Sequence, residues 1–408
     1  MAKIRIEHLI KLYGSHPRTA LSLFRKGANK NEILEKTGQV LGIADVSVEI
    51  NPGEIFVVMG LSGSGKSTLV RCLNRLIKPT SGHIYIDGED VVRFNAQQIR
   101  HLRSQKVSMV FQSFGLFPHK TVIENVEYGL KIRGVSKPER RQKALETLAT
   151  VGLSQWKSYA PASLSGGMQQ RVGLARALAT DAGILLMDEP FSALDPLTRR
   201  DMQDELLRLQ KGLSKTIIFI SHDIQEALRI GDRIAIMKDG QIVQVNTPEK
   251  LITQPANEYV RNFIQDVNRA QVLRVRTLSH PAHFCRVSQD SAESIYKQMQ
   301  IQRQQHMYVV NHNTQPIGFL ERHQLETAIQ QGNFEITEIM DTHFSKVQEN
   351  NSLESICHLY QTRIPLAVVN EFDQLSGIIE FSDILAHIGG FSKPIENTNQ
   401  DNAVSGLG

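Results

Sequence analysis

Residues 60–67 read GLSGSGKS and fit the spacing G-x-x-x-x-G-K-[ST] of a phosphate-binding loop. Glycines allow consecutive backbone N–H groups to face a phosphate, and a following helix adds the positive end of its dipole. The apolar, largely β-branched residues 55–59 predict a buried strand before the loop, and residues 67–77 predict the helix after it. The run therefore predicts a nucleotide site.

The side chains of this loop suggest how a nucleoside triphosphate is held. We expect the Lys66 ammonium to neutralise the β- and γ-phosphates, and the Ser67 hydroxyl to bind Mg²⁺. The loop residues expected to contact the nucleotide are Gly60, Ser62, Gly63, Ser64, Gly65, Lys66, Ser67 and Thr68.

Two carboxylates, Asp188 and Glu189, follow a second apolar run at residues 184–187. Short β-rich runs alternate with helical patterns over residues 1–265, which predicts an α/β domain with a mainly parallel core sheet. Ligands bind beyond the carboxyl ends of such strands, so the two carboxylates should face the phosphate loop. Asp188 suits a contact with Mg²⁺ through water, and Glu189 suits polarisation of the water that attacks the γ-phosphate.

A second anion site is predicted at residues 164–170, which read LSGGMQQ and precede a helical pattern at 171–180. A helix N-terminus with Ser165, Gly166 and Gly167 is suited to bind phosphate. Two separate phosphate sites imply that two chains cooperate, each presenting this face to the nucleotide of the other.

These motifs resemble those of the ATP-binding cassette (ABC) ATPases, over about residues 1–265. The matching motifs, in the order of the family, are the loop at 60–67, LSGGMQQ at 164–170, LLMDEP at 185–190 and SALD at 192–195. The resemblance implies a P-loop domain with a parallel core sheet, an antiparallel β subdomain and a helical subdomain. It also implies ATP as the nucleotide and a homodimer as the working unit.

The same resemblance assigns roles to four further residues. Gln112 is the lid glutamine that senses the γ-phosphate and contacts Mg²⁺, and His222 is the switch histidine at the γ-phosphate. With Glu189 they form the expected catalytic set. Asp195 is expected at the dimer interface, and Tyr13 matches the aromatic residue that stacks on adenine.

An insertion at about residues 15–41 separates Tyr13 from the next strand, with two short helices predicted to end at Gly27 and Gly38. It belongs to a longer resemblance, to the ATPase subunits of glycine betaine/proline importers. The runs that carry it are residues 19–43, 59–77, 114–130 and 228–240. This family implies an ATP-hydrolysing subunit that powers osmoprotectant uptake and is regulated in the osmotic response.

The family implies a membrane permease as partner, with an extracellular substrate-binding domain or protein, and a peripheral position on the cytoplasmic face of the plasma membrane. Gln112 and residues 114–128 are expected to meet the permease. An importer of choline, carnitine or an amino acid remains the alternative. The chain has one Trp and 6% aromatic residues, so an aromatic cage for a quaternary amine is expected on another polypeptide.

The composition excludes an integral membrane protein, a secreted protein and a collagen-like chain. The sequence has 41% hydrophobic and 22% charged residues, and no apolar run approaches the ~18–20 residues that span a bilayer. The basic balance of the first 260 residues is spread rather than clustered, and no nucleic-acid polymer is expected as a partner. Three scattered cysteines, Cys72, Cys285 and Cys357, form no disulfide framework and fit a reducing compartment.

An internal repeat occupies residues 271–330 and 334–390. The run Val309-Val310-Asn311 recurs 59 residues later as 368–370, and each half is predicted to read helix, strand, turn, strand, helix. The repeat resembles the tandem cystathionine-β-synthase (CBS) domains that these importers carry, an α+β module. Residues 391–408 are polar and turn-rich, which predicts a disordered tail.

Regulation through the CBS module is the remaining hypothesis. Glu380 replaces the hydroxyl residue of a conventional adenine-nucleotide site. Related importers imply cyclic di-AMP across the interface between second repeats, and the residues expected to hold it are Arg363, Ile364, Leu366, Ala367, Gly377 and Ile378. A basic patch of Arg269, Arg274 and Arg276 could instead meet anionic lipid. Ionic strength could also be the signal, and the module could serve packing alone.

Overall fold

The computed structural model describes residues 2–287, 290–359 and 364–388. The chain divides into two compact units, residues 1–267 and 268–408. The predicted tail at 391–408 and Arg363 lie outside the described residues. None of the described helices combines the length and the apolar character needed to cross a membrane.

Ten strands form two sheets in the first unit. They are β1 (Ile4–Tyr13), β2 (Val40–Ile50), β3 (Ile55–Met59), β4 (Ser81–Ile86), β5 (Glu89–Asp90), β6 (Val107–Val110), β7 (Ile184–Asp188), β8 (Thr216–Ser221), β9 (Arg233–Lys238) and β10 (Gln241–Asn246). One sheet has the order β2-β1-β4-β5 and is antiparallel. The core sheet has the order β10-β9-β3-β8-β7-β6 and is parallel except for its β9–β10 edge.

Twelve α-helices accompany these sheets in the described part of the first unit. They are α1 (Pro17–Arg25), α2 (Lys30–Thr37), α3 (Lys66–Leu73), α4 (Ala96–His101), α5 (Val122–Val126), α6 (Tyr128–Ile132), α7 (Lys137–Thr150), α8 (Gly166–Ala179), α9 (Pro196–Leu213), α10 (Ile224–Ile230), α11 (Pro248–Thr253) and α12 (Glu258–Phe263). Helices α5, α7 and α8 share an apolar cluster and form a helical subdomain.

The core strands end at the residues that were predicted to bind and hydrolyse the nucleotide. Every residue of β3 and β7 is buried, as expected for parallel strands covered on both faces. Strand β3 runs into the phosphate loop, β7 ends in Asp188, and β8 ends immediately before His222. Because β3, β8 and β7 are adjacent and parallel, these three ends meet at one edge of the sheet.

Two predicted helix boundaries were wrong. Helix α3 ends at Leu73 rather than at residue 77. Arg75 has a φ of 56°, in the left-handed region, and a right-handed helix cannot continue through a residue in that conformation. Helix α8 begins at Gly166, five residues before the predicted start. The Ser165 side chain caps it, accepting a hydrogen bond from the Met168 N–H at 3.4 Å.

Two short helices occupy the insertion between β1 and β2. Pro17 lies in the first turn of α1. Helix α2 begins with a capping box between Asn29 and Glu32, and Gly38, with a φ of 66°, caps its C-terminus. Ala20 and Ile33 are fully buried in a cluster with the adjoining strands, so the insertion packs against the antiparallel sheet.

The second unit begins at Asn268, and its described residues form two three-stranded sheets. Its strands are β11 (Phe284–Arg286), β12 (His306–Val310), β13 (Pro316–Glu321), β14 (Lys346–Gln348), β15 (Leu366–Val369) and β16 (Leu375–Ile379). Its helices are α13 (Arg269–Val272), α14 (Val275–Leu278), α15 (Ala292–Ile301), α16 (Arg322–Gln330), α17 (Ile336–Ile339), α18 (Leu353–Ile356) and α19 (Phe381–Ile388).

The predicted order of each repeat lacked one short helix and one strand. Helix α14 and strand β11 come before α15 in the first repeat, and α17 and β14 come before α18 in the second. Strands β11 and β14 pair in parallel with β12 and β15. Each has only three residues, too few to show a period of two. The segments that precede β11 and β14 cross to the other repeat: His280 pairs with Ile378 of the second repeat, and Asp341 pairs with Phe319 of the first. Each repeat therefore adds an isolated β-bridge to the edge strand of the other repeat's sheet.

Candidate nucleotide site

The phosphate loop has no room for side chains at its first position. Gly60 has a φ of 150°, and a Cβ there would lie 2.3 Å from the Met237 carbonyl oxygen. Lys66 is only 6% exposed, and its Nζ donates to the carbonyl oxygens of Gly60 at 2.7 Å and Leu61 at 3.0 Å. Burial lowers the Lys66 pKa, an effect that the carboxylates of Glu189 and Asp188 oppose.

A cavity of about 520 Å³ brings together most of the predicted nucleotide contacts. Its lining comprises Gly60, Leu61, Ser62, Gly63, Gly65, Lys66, Ser67, Thr68, Glu189 and His222. Ser64 is the loop residue that does not line it. The Ser64 side chain is buried, and the Ser64 backbone N–H donates to the Leu61 carbonyl at 3.2 Å. Ser64 therefore contributes to the shape of the loop, and its contact with the nucleotide stays a prediction.

Asp188 and Ser67 form the candidate Mg²⁺ site. The Ser67 hydroxyl donates to Asp188 Oδ1 at 3.0 Å, and Arg71 Nη2 lies 3.5 Å from Asp188 Oδ2. A hydroxyl and a carboxylate are hard oxygen ligands of the kind that Mg²⁺ prefers. The described residues contain no cluster of three or more His, Cys, Asp or Glu able to hold a metal ion. The donor set fits Mg²⁺ that is held jointly with nucleotide phosphates.

Glu189 joins the other two predicted catalytic residues. Its Oε2 lies 3.4 Å from Gln112 Nε2, which donates to it, and 3.2 Å from His222 Nδ1. Glu189 has a φ of 48°, a left-handed conformation that is rare outside glycine and is held here by two hydrogen bonds from Ser192 to its carbonyl oxygen. The three residues converge although 77 and 33 positions separate Gln112 and His222 from Glu189.

The predicted adenine-stacking residue lies beside the phosphate loop. The Tyr13 hydroxyl is 3.1 Å from Thr68 Oγ1, Lys11 Nζ is 5.0 Å from the centre of the Tyr13 ring, and the side chain is about one-third exposed. The insertion also reaches this loop, because Lys30 Nζ donates to the Gly63 carbonyl at 3.4 Å. Sequence reasoning missed Lys30, since nothing in the spacing of a basic insertion points to a particular loop carbonyl.

The second predicted anion site lies apart from this cavity. Ser165 and Gly166 are exposed at the start of α8, Gly167 is buried against Thr198, and none of the three lines the cavity. Asp195 is also exposed. It accepts a hydrogen bond from the Thr198 N–H at 3.0 Å, which caps α9 and lowers the Asp195 pKa.

The predicted regulatory residues divide between a cavity and the core of the second unit. Ile364 and Ile378 line a cavity of about 510 Å³, together with His283, Arg303, His306 and Glu380. Leu366, Ala367 and Gly377 are instead buried in or beside the sheet and do not line it. Arg274 and Arg276 hydrogen-bond to Asn350 of the second repeat, so the predicted lipid patch also has a structural role.

Comparison with known proteins defines the class. The ABC transporter family model matches residues 43–192, and the CBS domain model matches residues 336–390. A dimeric ATP-binding cassette solved in a post-hydrolysis state with ADP and phosphate aligns with a TM-score of 0.51 at 33% identity, covering 60% of this chain and 98% of that one. These matches confirm the predicted ABC ATPase fold and the presence of a CBS domain.

Relatives that align over most of this chain identify the family of transport subunits within the ABC ATPases. The glycine betaine transport ATP-binding protein of Bacillus subtilis is 46% identical, with 98% of this chain and 96% of the relative covered. The glycine betaine/proline betaine transport ATP-binding protein of Escherichia coli is 45% identical over 92% of this chain and 95% of its own length. The chain belongs to this family of ATP-binding subunits of betaine ABC transporters, as the sequence predicted.

Proposed function

We propose that this chain hydrolyses ATP to drive the uptake of glycine betaine or proline betaine through a membrane permease. The observation that carries the proposal is the convergence of Lys66, Glu189 and His222 on one cavity in a chain that aligns end to end with betaine transport subunits. The proposed position is peripheral, on the cytoplasmic face of the plasma membrane.

Each residue of the site has a task in this reaction. Mg²⁺, when bound by Ser67 and Asp188, would offset the phosphate charge. The Lys66 ammonium holds the β- and γ-phosphates, and the Glu189 carboxylate orients the attacking water and accepts its proton. The water oxygen bonds to the γ-phosphorus as the bond to the ADP oxygen breaks. His222, in contact with Glu189, donates a hydrogen bond to the γ-phosphate.

The proposed working unit is a head-to-tail homodimer. Ser165 and Gly166 are exposed and do not line the cavity of their own chain, which fits a contact with the nucleotide of a second chain. Asp195 is exposed as well and would lie in that interface. The resemblance to a cassette solved as a dimer supports this arrangement.

The permease is proposed to contact the loop that follows Gln112. Phe114 has a φ of 58°, and its carbonyl and that of Gly115 both accept hydrogen bonds from Arg176 on α8. Leu116 packs against the helical subdomain, and the Phe117 ring lies 4.4 Å from that of Tyr128. These two residues therefore also contribute to packing, and the exposed parts of Gln112 and of residues 114–128 remain for the partner.

Transport counterflow with the purified transporter tests the substrate. Labelled glycine betaine, proline betaine, carnitine and choline would be offered in turn. We expect exchange with the two betaines. Carnitine is the alternative with support, because a relative from Listeria monocytogenes, 45% identical over 96% of this chain and 98% of its own length, is a glycine betaine/carnitine transport protein. Exchange with choline alone would contradict the proposal.

The CBS module is proposed to gate transport in response to ionic strength, anionic lipid or cyclic di-AMP, not to take part in catalysis. The cavity near Ile364 and Ile378 also presents Arg303 and two histidines to an anionic ligand. A purine base could stack on the apolar residues of this cavity.

Deletion of the second unit tests this regulatory role. A chain that ends at Val267, the boundary of the first unit, should retain ATP hydrolysis and transport. Its uptake should no longer depend on a threshold concentration of internal salt. Uptake in vesicles would be measured against internal salt, with and without cyclic di-AMP. A salt threshold and a dinucleotide response that both stay unchanged would show that the module is not the sensor.

A further inference from the structure

Two residues of α9 hold the turn that carries His222. Arg199 Nη1 donates to Asp223 Oδ2 at 3.3 Å, and Gln203 Nε2 donates to Glu226 Oε1 at 3.1 Å. Arg199 and Gln203 are four positions apart, so they lie on one face of the helix. Their two partners follow His222 within four residues, which places α9 directly behind the turn.

The turn itself is a closed hydrogen-bond network. Asp223 Oδ1 accepts from the Gln225 N–H at 2.9 Å, and the Asp223 N–H donates to Ser221 Oγ at 2.9 Å. The Ser221 hydroxyl donates to Glu226 Oε2, and both side chains are buried. Burial also raises the Glu226 pKa.

His222 extends from the backbone that this network holds. Its side chain is 59% exposed, and its ring Nδ1 lies 3.2 Å from Glu189 Oε2. The hydrogen bonds to Asp223 and Glu226 hold the turn on which His222 lies, and with it the point from which the imidazole reaches Glu189.

Arg199 also reaches the opposite way, toward the proposed partner surface. Its Nη2 donates to the Leu194 carbonyl at 3.2 Å, immediately before the exposed Asp195 that caps α9. One guanidinium thus joins the 192–195 segment to the turn of the switch histidine. The planar fork of an arginine can make both contacts at once, whereas the single ammonium of a lysine cannot reproduce that geometry.

We propose that Arg199 and Gln203 are positioning residues for His222, and that Arg199 transmits the contact of a second chain at Asp195 to the imidazole. The inference rests on the proposed role of His222 in ATP hydrolysis. A contact of the partner at Asp195 would then reach the His222 turn through the two hydrogen bonds of the Arg199 guanidinium.

The first test compares Arg199→Lys with Arg200→Lys in the full-length chain. Arg200 is the exposed neighbour on the same helix and serves as the matched control. We expect Arg199→Lys to lower kcat roughly tenfold to a hundredfold, because small misplacements of a catalytic group cost that much, with the Kd for ATP unchanged. Arg200→Lys should leave kcat unchanged. A wild-type kcat in Arg199→Lys would overturn the inference.

NMR of histidine labelled at Cε1 distinguishes positioning of His222 from a general structural role, because a general role would not shift the His222 signal alone. The His222 signal, assigned by its loss in His222→Ala, should shift in Arg199→Lys and in Gln203→Met while the other histidine signals stay in place. Gln203→Met keeps the length of the side chain and provides an independent variant should Arg199→Lys fold poorly. An unmoved His222 signal in the folded variants would contradict the inference.

Combining variants separates this inference from the proposed function. In a His222→Ala background, Arg199→Lys should cause no further loss of kcat, because it acts through the imidazole. An equal loss in both backgrounds would assign Arg199 a structural role and overturn the inference. If His222→Ala alone hydrolyses ATP at the wild-type rate, the proposed role of His222 fails instead.

Discussion

Glu189→Gln is expected to lower the kcat for ATP hydrolysis about a thousandfold while the chain still binds ATP. The amide has the shape of the carboxylate but cannot accept a proton from the attacking water, and general-base catalysis contributes roughly 10²–10⁴ in rate. The phosphate contacts of Lys66 and the loop are unaffected by the change. The variant should therefore accumulate as an ATP-bound dimer, detected as a concentration- and ATP-dependent doubling of mass in light scattering.

The matched control for this variant is Glu139→Gln, at an exposed glutamate of α7 in the helical subdomain. It removes the same charge at a position outside the predicted motifs and should keep the wild-type kcat. Hydrolysis by Glu189→Gln near the wild-type rate would remove Glu189 from the mechanism. A variant that neither hydrolyses nor dimerises with ATP would instead indicate damage to the nucleotide site.

Lys66→Met is expected to weaken ATP binding itself by about a hundredfold or more. The variant keeps an apolar stem in a buried position but loses the ammonium that faces the phosphates, and charge-assisted hydrogen bonds are among the strongest in proteins. Two loop carbonyls, of Gly60 and Leu61, also lose their donor. Calorimetric titration with ATP would measure the Kd.

Two controls accompany Lys66→Met. Thermal unfolding should show that the first unit remains folded, because a collapsed loop would also weaken binding. Lys30→Met provides the comparison, since Lys30 contacts a carbonyl of the same loop from outside the buried position of Lys66 and should change the Kd much less. Wild-type affinity in Lys66→Met would exclude this loop as the triphosphate site.

The local parts of the site could be predicted from sequence. Strand β3 has the predicted bounds, and the loop after it has the predicted glycine geometry, because short-range sterics and hydrogen bonds fix both. The placement of Asp188 beside Ser67 also followed from a general rule about parallel sheets. The fold and its family could be predicted because four motifs occur in one order.

Features that depend on distant partners could not be predicted in this way. The backbone of Gly60 lies against the Met237 carbonyl, which is far along the chain, and the Ser64 hydroxyl is close to Gly60 as well. The exchange of segments between the repeats depends on pairing of His280 with Ile378. No local pattern predicts such contacts, because the local sequence of a short strand or of a buried serine does not indicate which distant residue it will contact.

Uptake of labelled glycine betaine into vesicles that contain the permease and this subunit tests the central claim most directly. With ATP and Mg²⁺ on the side of the ATPase subunits, the wild-type complex should accumulate betaine above its equilibrium level. The Glu189→Gln complex should not, although it binds ATP. Accumulation that is independent of ATP, or equal in the Glu189→Gln complex, would contradict the claim that this chain powers the transport.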